Sequence, residues 1–151
     1  MIMPGGKLKL VEAGGEEAYR LHEQVGFILR KANQRHIAIF AKHIGDLTPP
    51  QFAARARLAE IGEASQNQLG AMVAMDAATI KGVIDRLKAR GLVTLAAHSE
   101  DRRRLVVSLS DQGKAMIERL LPLAERITAE TLEPLNARET ATFLKLLARL
   151  A

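Results

Sequence analysis

Apolar residues recur with a helical period over most of the chain and switch to short β-rich runs only near its middle. Over residues 17–44 they fall at Leu21, Val25, Ile28/Leu29, Ala32 and Ile39/Phe40, the spacing of one buried face of a long helix, and Gly45 is placed to end it. Thr48-Pro49-Pro50-Gln51 predicts a second start, with Thr48 as N-cap, Pro49 at the first helical position and Gln51 as the capping-box partner. That helix runs through Phe52 and Leu58 and is expected to stop near Gly62. Ser65-Gln66-Asn67-Gln68 repeats the capping pattern ahead of a short helix through Leu69 and Met72/Val73. Asp76 caps the next, where Ile80, Val83, Ile84 and Leu87 at i, i+3, i+4 and i+7 form a buried stripe and Gly91 lies just past the end.

Beyond Gly91 the pattern changes. Residues 92–97 and 105–109 are short and rich in Val, Leu and Thr, with a charged segment between them, so a hairpin is predicted. Ser110 opens a long helix carrying Met116/Ile117, Leu120/Leu121, Ala124 and Ile127. Pro122 deletes one of its ladder bonds and is placed to bend it, and Pro134 ends it. Asn136-Ala137-Arg138-Glu139 starts a last helix with Phe143, Leu144, Leu147 and Leu150. Residues 1–15 read as a flexible leader and residues 16–151 as one domain. The predicted fold is mainly α with a small β-hairpin wing: a winged helix-turn-helix at about 48–110, flanked by helices at about 17–44 and 110–151 that serve dimerisation.

Charge sharpens this picture. The 151 residues carry a net charge of +5, and residues 65–104 hold seven cations against four carboxylates. Such a balance favours a polyanionic partner. The chain has no cysteine, which excludes disulfides, thiolate metal sites and thiol-based sensing. No apolar run approaches the ~18–20 residues of a membrane span, and the start of the chain lacks the apolar core of a secretory signal, so a cytoplasmic protein is expected. The aromatic residues, Tyr19, Phe27, Phe40, Phe52 and Phe143, all lie outside residues 65–113. The basic region therefore has no platform for stacking single-stranded bases, and duplex DNA is the better partner.

With the Ile80–Leu87 stripe turned inward, the opposite face of that helix carries Thr79, Lys81, Gly82 and Arg86. Its first turns are where a recognition helix meets base edges. A mid-helix glycine costs ~1 kcal/mol relative to alanine, so Gly82 reads as a point of close approach to DNA. The capped start at Ser65, Asn67 and Gln68 offers N–H groups and short polar side chains to a phosphate. In the wing, Asp101-Arg102-Arg103-Arg104 puts three cations on a projecting tip, suited to the minor groove, with Asp101 able to brace an arginine there or Arg86. A solvated amphipathic helix is the plain alternative for the helix alone. The arginine wing weighs against it.

Residues 79–93 (TIKGVIDRLKARGLV), Asp101-Arg102-Arg103 and residues 109–113 (LSDQG) resemble the multiple-antibiotic-resistance regulator (MarR) family. The resemblance runs over nearly the whole chain, except for about the first fifteen residues. It implies that Arg103 is the wing arginine of the minor groove, Asp101 its orienting carboxylate and Arg86 the helix arginine pairing with that aspartate. It also implies a homodimer on a pseudo-palindromic operator, joined through the first and last helices. Their broad apolar faces, which exceed what one small winged domain can cover, agree.

The resemblance further implies a small-molecule effector in a crevice beside the dimer helices. Asn33, His36, Phe40 and His43 lie along one line of the first helix, with Arg55 near enough in sequence to pair an anion. An aromatic acid or its coenzyme A thioester suits such a site, and residues 33–40 are similar to members controlling aromatic-acid breakdown. The other reading of His36 and His43 is as helix-interface residues hydrogen-bonded across a dimer. No metal or cofactor is expected: His22, His36 and His43 lack the four-residue spacing of a helical metal site.

The expectation is thus a ligand-responsive homodimeric repressor of a catabolic operon. The alternatives are a winged-helix regulator with a different effector, a metal or another small molecule, and a protein-binding adaptor module. An adaptor has no need of Arg102, Arg103 and Arg104 in one cluster. An enzyme is not expected, since no nucleophile elbow, phosphate loop or metal signature occurs.

Overall fold

The computed structural model describes residues 18–151, so the leader expected at residues 1–15 lies outside the described residues. The chain divides into a unit ending at Gln34 and a larger one from Arg35 to Ala151. In the first, a single 3-10 turn at Leu21–Glu23 precedes helix α1, Val25–His43, which continues into the second unit. The long helix thus starts some eight residues later than its apolar period suggests. Arg20, at the N-cap of the turn, makes no side-chain capping bond among the described residues, and Gln24 is extended at ψ 139°, which separates the turn from the helix.

The second unit holds the rest of α1, then α2 (Pro49–Ile61), β1 (Glu63–Ser65), α3 (Gln66–Met72), α4 (Ala77–Ala89), β2 (Val93–Ala97), β3 (Leu105–Leu109), α5 (Asp111–Leu132) and α6 (Ala137–Ala148). Local chemistry sets most of these boundaries. Thr48, Ser65 and Asn136 close full capping boxes with Gln51, Gln68 and Glu139. Asp76 and Ser110 each accept from the backbone N–H three residues on. A cap of this kind contributes about 1 kcal/mol, because it satisfies an otherwise orphan donor.

The hairpin supplies two strands of a three-stranded antiparallel sheet in the order β1-β3-β2. The strand β1 is absent from the sequence-based expectation. Glu63-Ala64-Ser65 is too short to show alternation, and it becomes a strand by pairing Ala64 with Val107, more than forty residues away. Ala64 and Val107 are both buried there.

The core of this unit gathers Ile39, Phe40 and Ile44 of α1, Leu58 of α2, Leu69 of α3, the predicted stripe Ile80, Val83, Ile84 and Leu87 of α4, and Met116, Ile117 and Leu120 of α5. Phe40 meets Phe52 edge-on at 5.9 Å between ring centroids, a favoured arrangement of two quadrupoles. α5 continues through Pro122. Both Pro122 and Glu118, whose carbonyl loses its ladder partner there, are exposed to water.

Two glycines position α5 against the base of the wing. Gly91, just past α4, takes φ 71°, which a Cβ would strain. A Cβ on Gly113 would stand 2.0 Å from the Leu92 carbonyl oxygen, so the first turn of α5 can sit on the chain leaving α4 only with glycine at that place. Ser110 completes the joint by donating to the Gly91 carbonyl at 2.6 Å while accepting from the Gly113 N–H. Among the described residues no helix is long and apolar enough to cross a membrane.

Candidate nucleic-acid interface

The helix-turn-helix is built by α3 and α4, with β2 and β3 as the wing. At the start of α3, Ser65 is half-buried and its hydroxyl accepts from the Gln68 N–H, while Asn67 and Gln68 are exposed. On α4, Asp76 accepts from the Thr79 N–H at 2.7 Å. These hydrogen bonds from Thr79 hold the Asp76 carboxyl below the usual range. Ala77, Ala78, Thr79 and Lys81 all stand exposed on the first turns. Ala77 and Ala78 escaped the sequence reading, although the Asp76 cap alone numbers them as the first helical residues. Their methyl groups are of the kind that meets a thymine methyl in the major groove.

Lys81 donates to Asp85 at 2.9 Å, one turn along, in an exposed pair. Such a pair is worth about 0.3–0.5 kcal/mol and is readily exchanged for a stronger anion. A Cβ at Gly82 would meet the Arg86 Nη1 at 3.7 Å, an ordinary van der Waals contact. Arg86 folds back over Gly82 toward the start of α4, and the space there is compatible with close approach by DNA.

The wing tip differs from expectation in one respect. Asp101 Oδ1 accepts from the Arg103 backbone N–H at 3.0 Å, and the Asp101 carbonyl accepts from the Arg104 N–H. The aspartate therefore shapes the turn and pairs with neither Arg86 nor a wing guanidinium. Short Asp side chains reach a backbone N–H two residues on more readily than a guanidinium on another element. The His98 N–H donates to the Arg104 carbonyl and the Glu100 N–H to His98 Nδ1, which closes the loop. Arg102, Arg103 and Arg104 are all exposed, and among the described residues none of them forms an ion pair.

Two of the expected effector residues, His36 and His43, are hydrogen-bonded to α5. His36 Nδ1 hydrogen-bonds Thr131 Oγ1 at 2.9 Å, and the His43 imidazole donates to Glu130 Oε2 at 2.6 Å. Lys42 Nζ takes the other Glu130 oxygen at 2.9 Å, and Arg35 donates to the Glu130 and Thr131 carbonyls at the end of α5. The His43 and Lys42 hydrogen bonds hold the Glu130 carboxyl below the usual range. Phe40 belongs to the core, and Asn33 is exposed in the other unit.

Arg55 departs furthest from expectation. It is fully buried. Its Nη2 donates to the Gly113 carbonyl at 2.7 Å, while Nε and Nη1 have no partner among the described residues. Burial, then repulsion from Arg90 and Arg119, pushes its pKa down. Among the described residues no group of His, Asp and Glu forms a metal site.

Comparison with known proteins fits this arrangement. The profile of the MarR family matches residues 47–105, which span α2 to the start of β3. The chain is 42% identical over 134 residues to the HTH-type transcriptional repressor NicR of Pseudomonas putida, covering 87% of this chain and 85% of that protein. A probable transcriptional regulator from Pseudomonas aeruginosa superposes with TM-score 0.85 at 54% identity, over 87% of this chain and all of that one. BpsR of Bordetella bronchiseptica, whose DNA binding is regulated by 6-hydroxynicotinic acid, superposes with TM-score 0.84 at 40% identity, over 89% and 97%. The chain belongs to the MarR family and is a DNA-binding transcriptional regulator, not an enzyme.

Proposed function

We propose that the protein is a homodimeric repressor that occludes a promoter and leaves it when an aromatic acid binds. The observation that carries the reading is the contrast on the α4-wing surface. Three wing arginines project without counter-ions among the described residues, beside a capped helix whose first turns are exposed. A duplex offers phosphates at the spacing such a surface needs, and the wing arginines suit a narrowed minor groove. The DNA contacts are assigned to Ser65, Asn67 and Gln68 on a phosphate, to Thr79, Lys81, Gly82 and Arg86 in the major groove, and to Arg102, Arg103 and Arg104 in the minor groove, with Asp101 shaping the wing.

A second copy is supported by α6, which buries none of its residues and leaves Phe143, Leu144 and Leu146 exposed, as is Leu150 just past its end. Apolar surface of that extent on an amphipathic helix marks a covered face. The repressor role is supported by the likeness to NicR, and an aromatic acid by the likeness to BpsR.

The test is a gel shift on the DNA flanking the protein's own gene, first titrated with salt and then with 6-hydroxynicotinic acid. A steep fall of affinity with salt and release by the acid support the reading. Salt-independent binding, or none to duplex DNA, overturns it.

A further inference from the structure

An open cleft of about 480 Å³ lies where the turn between α1 and α2 faces the last turns of α4. Its apolar walls come from Leu47 and Ala89, and Gln51, Arg86 and Arg90 line it with donors. Gln51 gives its Oε1 to the Thr48 N–H in the capping box, which leaves its Nε2 as a donor. Arg90 donates one N–H to the Asp46 carbonyl at 2.5 Å and keeps the rest of its fork. Arg86, also on the wall, forms no ion pair among the described residues.

One turn past Gln51 on α2 stands Arg55, with two buried nitrogens lacking partners among the described residues and close enough to Arg90 for repulsion to lower its pKa. Guanidinium groups crowded in this way favour an anion. Asp46, at the rim, is the opposing charge.

We infer that this cleft binds a small aromatic carboxylate, its ring against Leu47 and Ala89 and its carboxylate on Arg86 and Arg90. Planar guanidinium forks suit a carboxylate bidentately. The inference rests on the reading of α4 as the DNA-facing helix and gives that reading a mechanism. Arg86 folds over Gly82 toward the start of α4 and also lines the cleft, so it serves one anion at a time. A ligand that holds Arg86 in the cleft removes it from DNA, which is a direct competition for one side chain.

The experiment follows backbone amide NMR signals of the full-length protein during titration with 6-hydroxynicotinate, alongside operator gel shifts. The signals of Thr48, Gln51, Ala89 and Arg90 are expected to move, and the ligand to weaken operator binding by about tenfold or more, as differential affinity demands. Ala89→Trp fills the cleft and keeps the Arg86 guanidinium. It should cut ligand affinity about tenfold or more and leave ligand-free operator affinity within about threefold.

Should that variant fold poorly, Arg90→Met gives the same reading, and Asp46→Asn should raise ligand affinity about two- to threefold by removing a like charge. Unchanged induction in Ala89→Trp overturns the cleft and leaves the repressor reading standing, as do shifts confined to His36, His43 and Thr131. Loss of operator binding by about tenfold or more in folded Arg90→Met assigns the cleft to DNA and overturns it too. Operator binding that the acid neither shifts nor releases overturns the aromatic-acid reading itself.

Discussion

The α4-wing surface and the junction of α1 with the end of α5 draw on the same residue types and use them in opposite ways. At the junction the basic side chains of α1 from Arg35 to His43 are engaged: Arg35 on two carbonyls, His36 on Thr131, Lys42 and His43 on one carboxylate. At the wing Asp101 is taken up by the backbone, and Arg102, Arg103 and Arg104 are left to solvent. A cation held by its own fold has little to offer a ligand, whereas an unpaired one on a rigid loop is preorganised for an anion. The difference lies in which partners reach each place. Glu130 and Thr131 arrive from nearly ninety residues or more away in sequence to serve α1, while the Asp101 carboxylate beside the wing arginines is occupied by its own turn.

The largest expected effect lies at Gly113, where the wing base meets α5. Gly113→Ala puts a methyl 2.0 Å from the Leu92 carbonyl, and overpacking backbone against backbone should cost about 3 kcal/mol or more in chemical denaturation. Stability within experimental error of the parent would show that the joint is soft. Next comes the wing itself: Arg103→Ala should weaken operator binding by about 1–3 kcal/mol with Tm unchanged. A fall in Tm with intact affinity would move Arg103 to the structural side of the comparison.

Gly82→Ala should separate the two properties within one helix. The added methyl meets only ordinary contact with Arg86, so stability should rise by about 0.5–1 kcal/mol while operator affinity drops. Gain in both would mean that DNA does not come close there.

Smaller still is the effect of acid on the junction. The folded-state Glu130 carboxyl is held below its usual range by His43 and Lys42. Its stabilising contribution is therefore present above the ordinary carboxylate pKa and is lost as pH falls through the depressed folded value. Glu130→Gln should flatten that part of the pH–stability curve. An unaltered curve would show that Glu130 contributes nothing there. Lys81→Ala is expected to cost least in stability, about 0.3–0.5 kcal/mol for one exposed i,i+4 pair.

What the sequence discloses follows the range of the forces involved. The caps at Thr48, Ser65, Asp76, Ser110 and Asn136 act over three residues, and all five form as expected. The α4 stripe and the cationic wing tip are equally local. The partners of His36 and His43 lie 95 and 87 residues away. Tertiary structure therefore adds a role that neither sequence-based reading held, a hydrogen bond within the chain. Arg55 illustrates the same limit. Arginine on a helix reads as exposed, and its burial depends on the Gly113 carbonyl arriving from α5. The strand β1 exists only through β3, and no three-residue pattern could announce it.

The central claim is that unpaired wing guanidinium groups carry operator binding. The slope of log affinity against log salt tests it most directly, compared between the parent and a variant with Arg102, Arg103 and Arg104 all changed to alanine. A steep slope is predicted for the parent, and in the variant a slope shallower by about one for each phosphate that is no longer neutralised. Equal slopes in the two proteins would contradict the account.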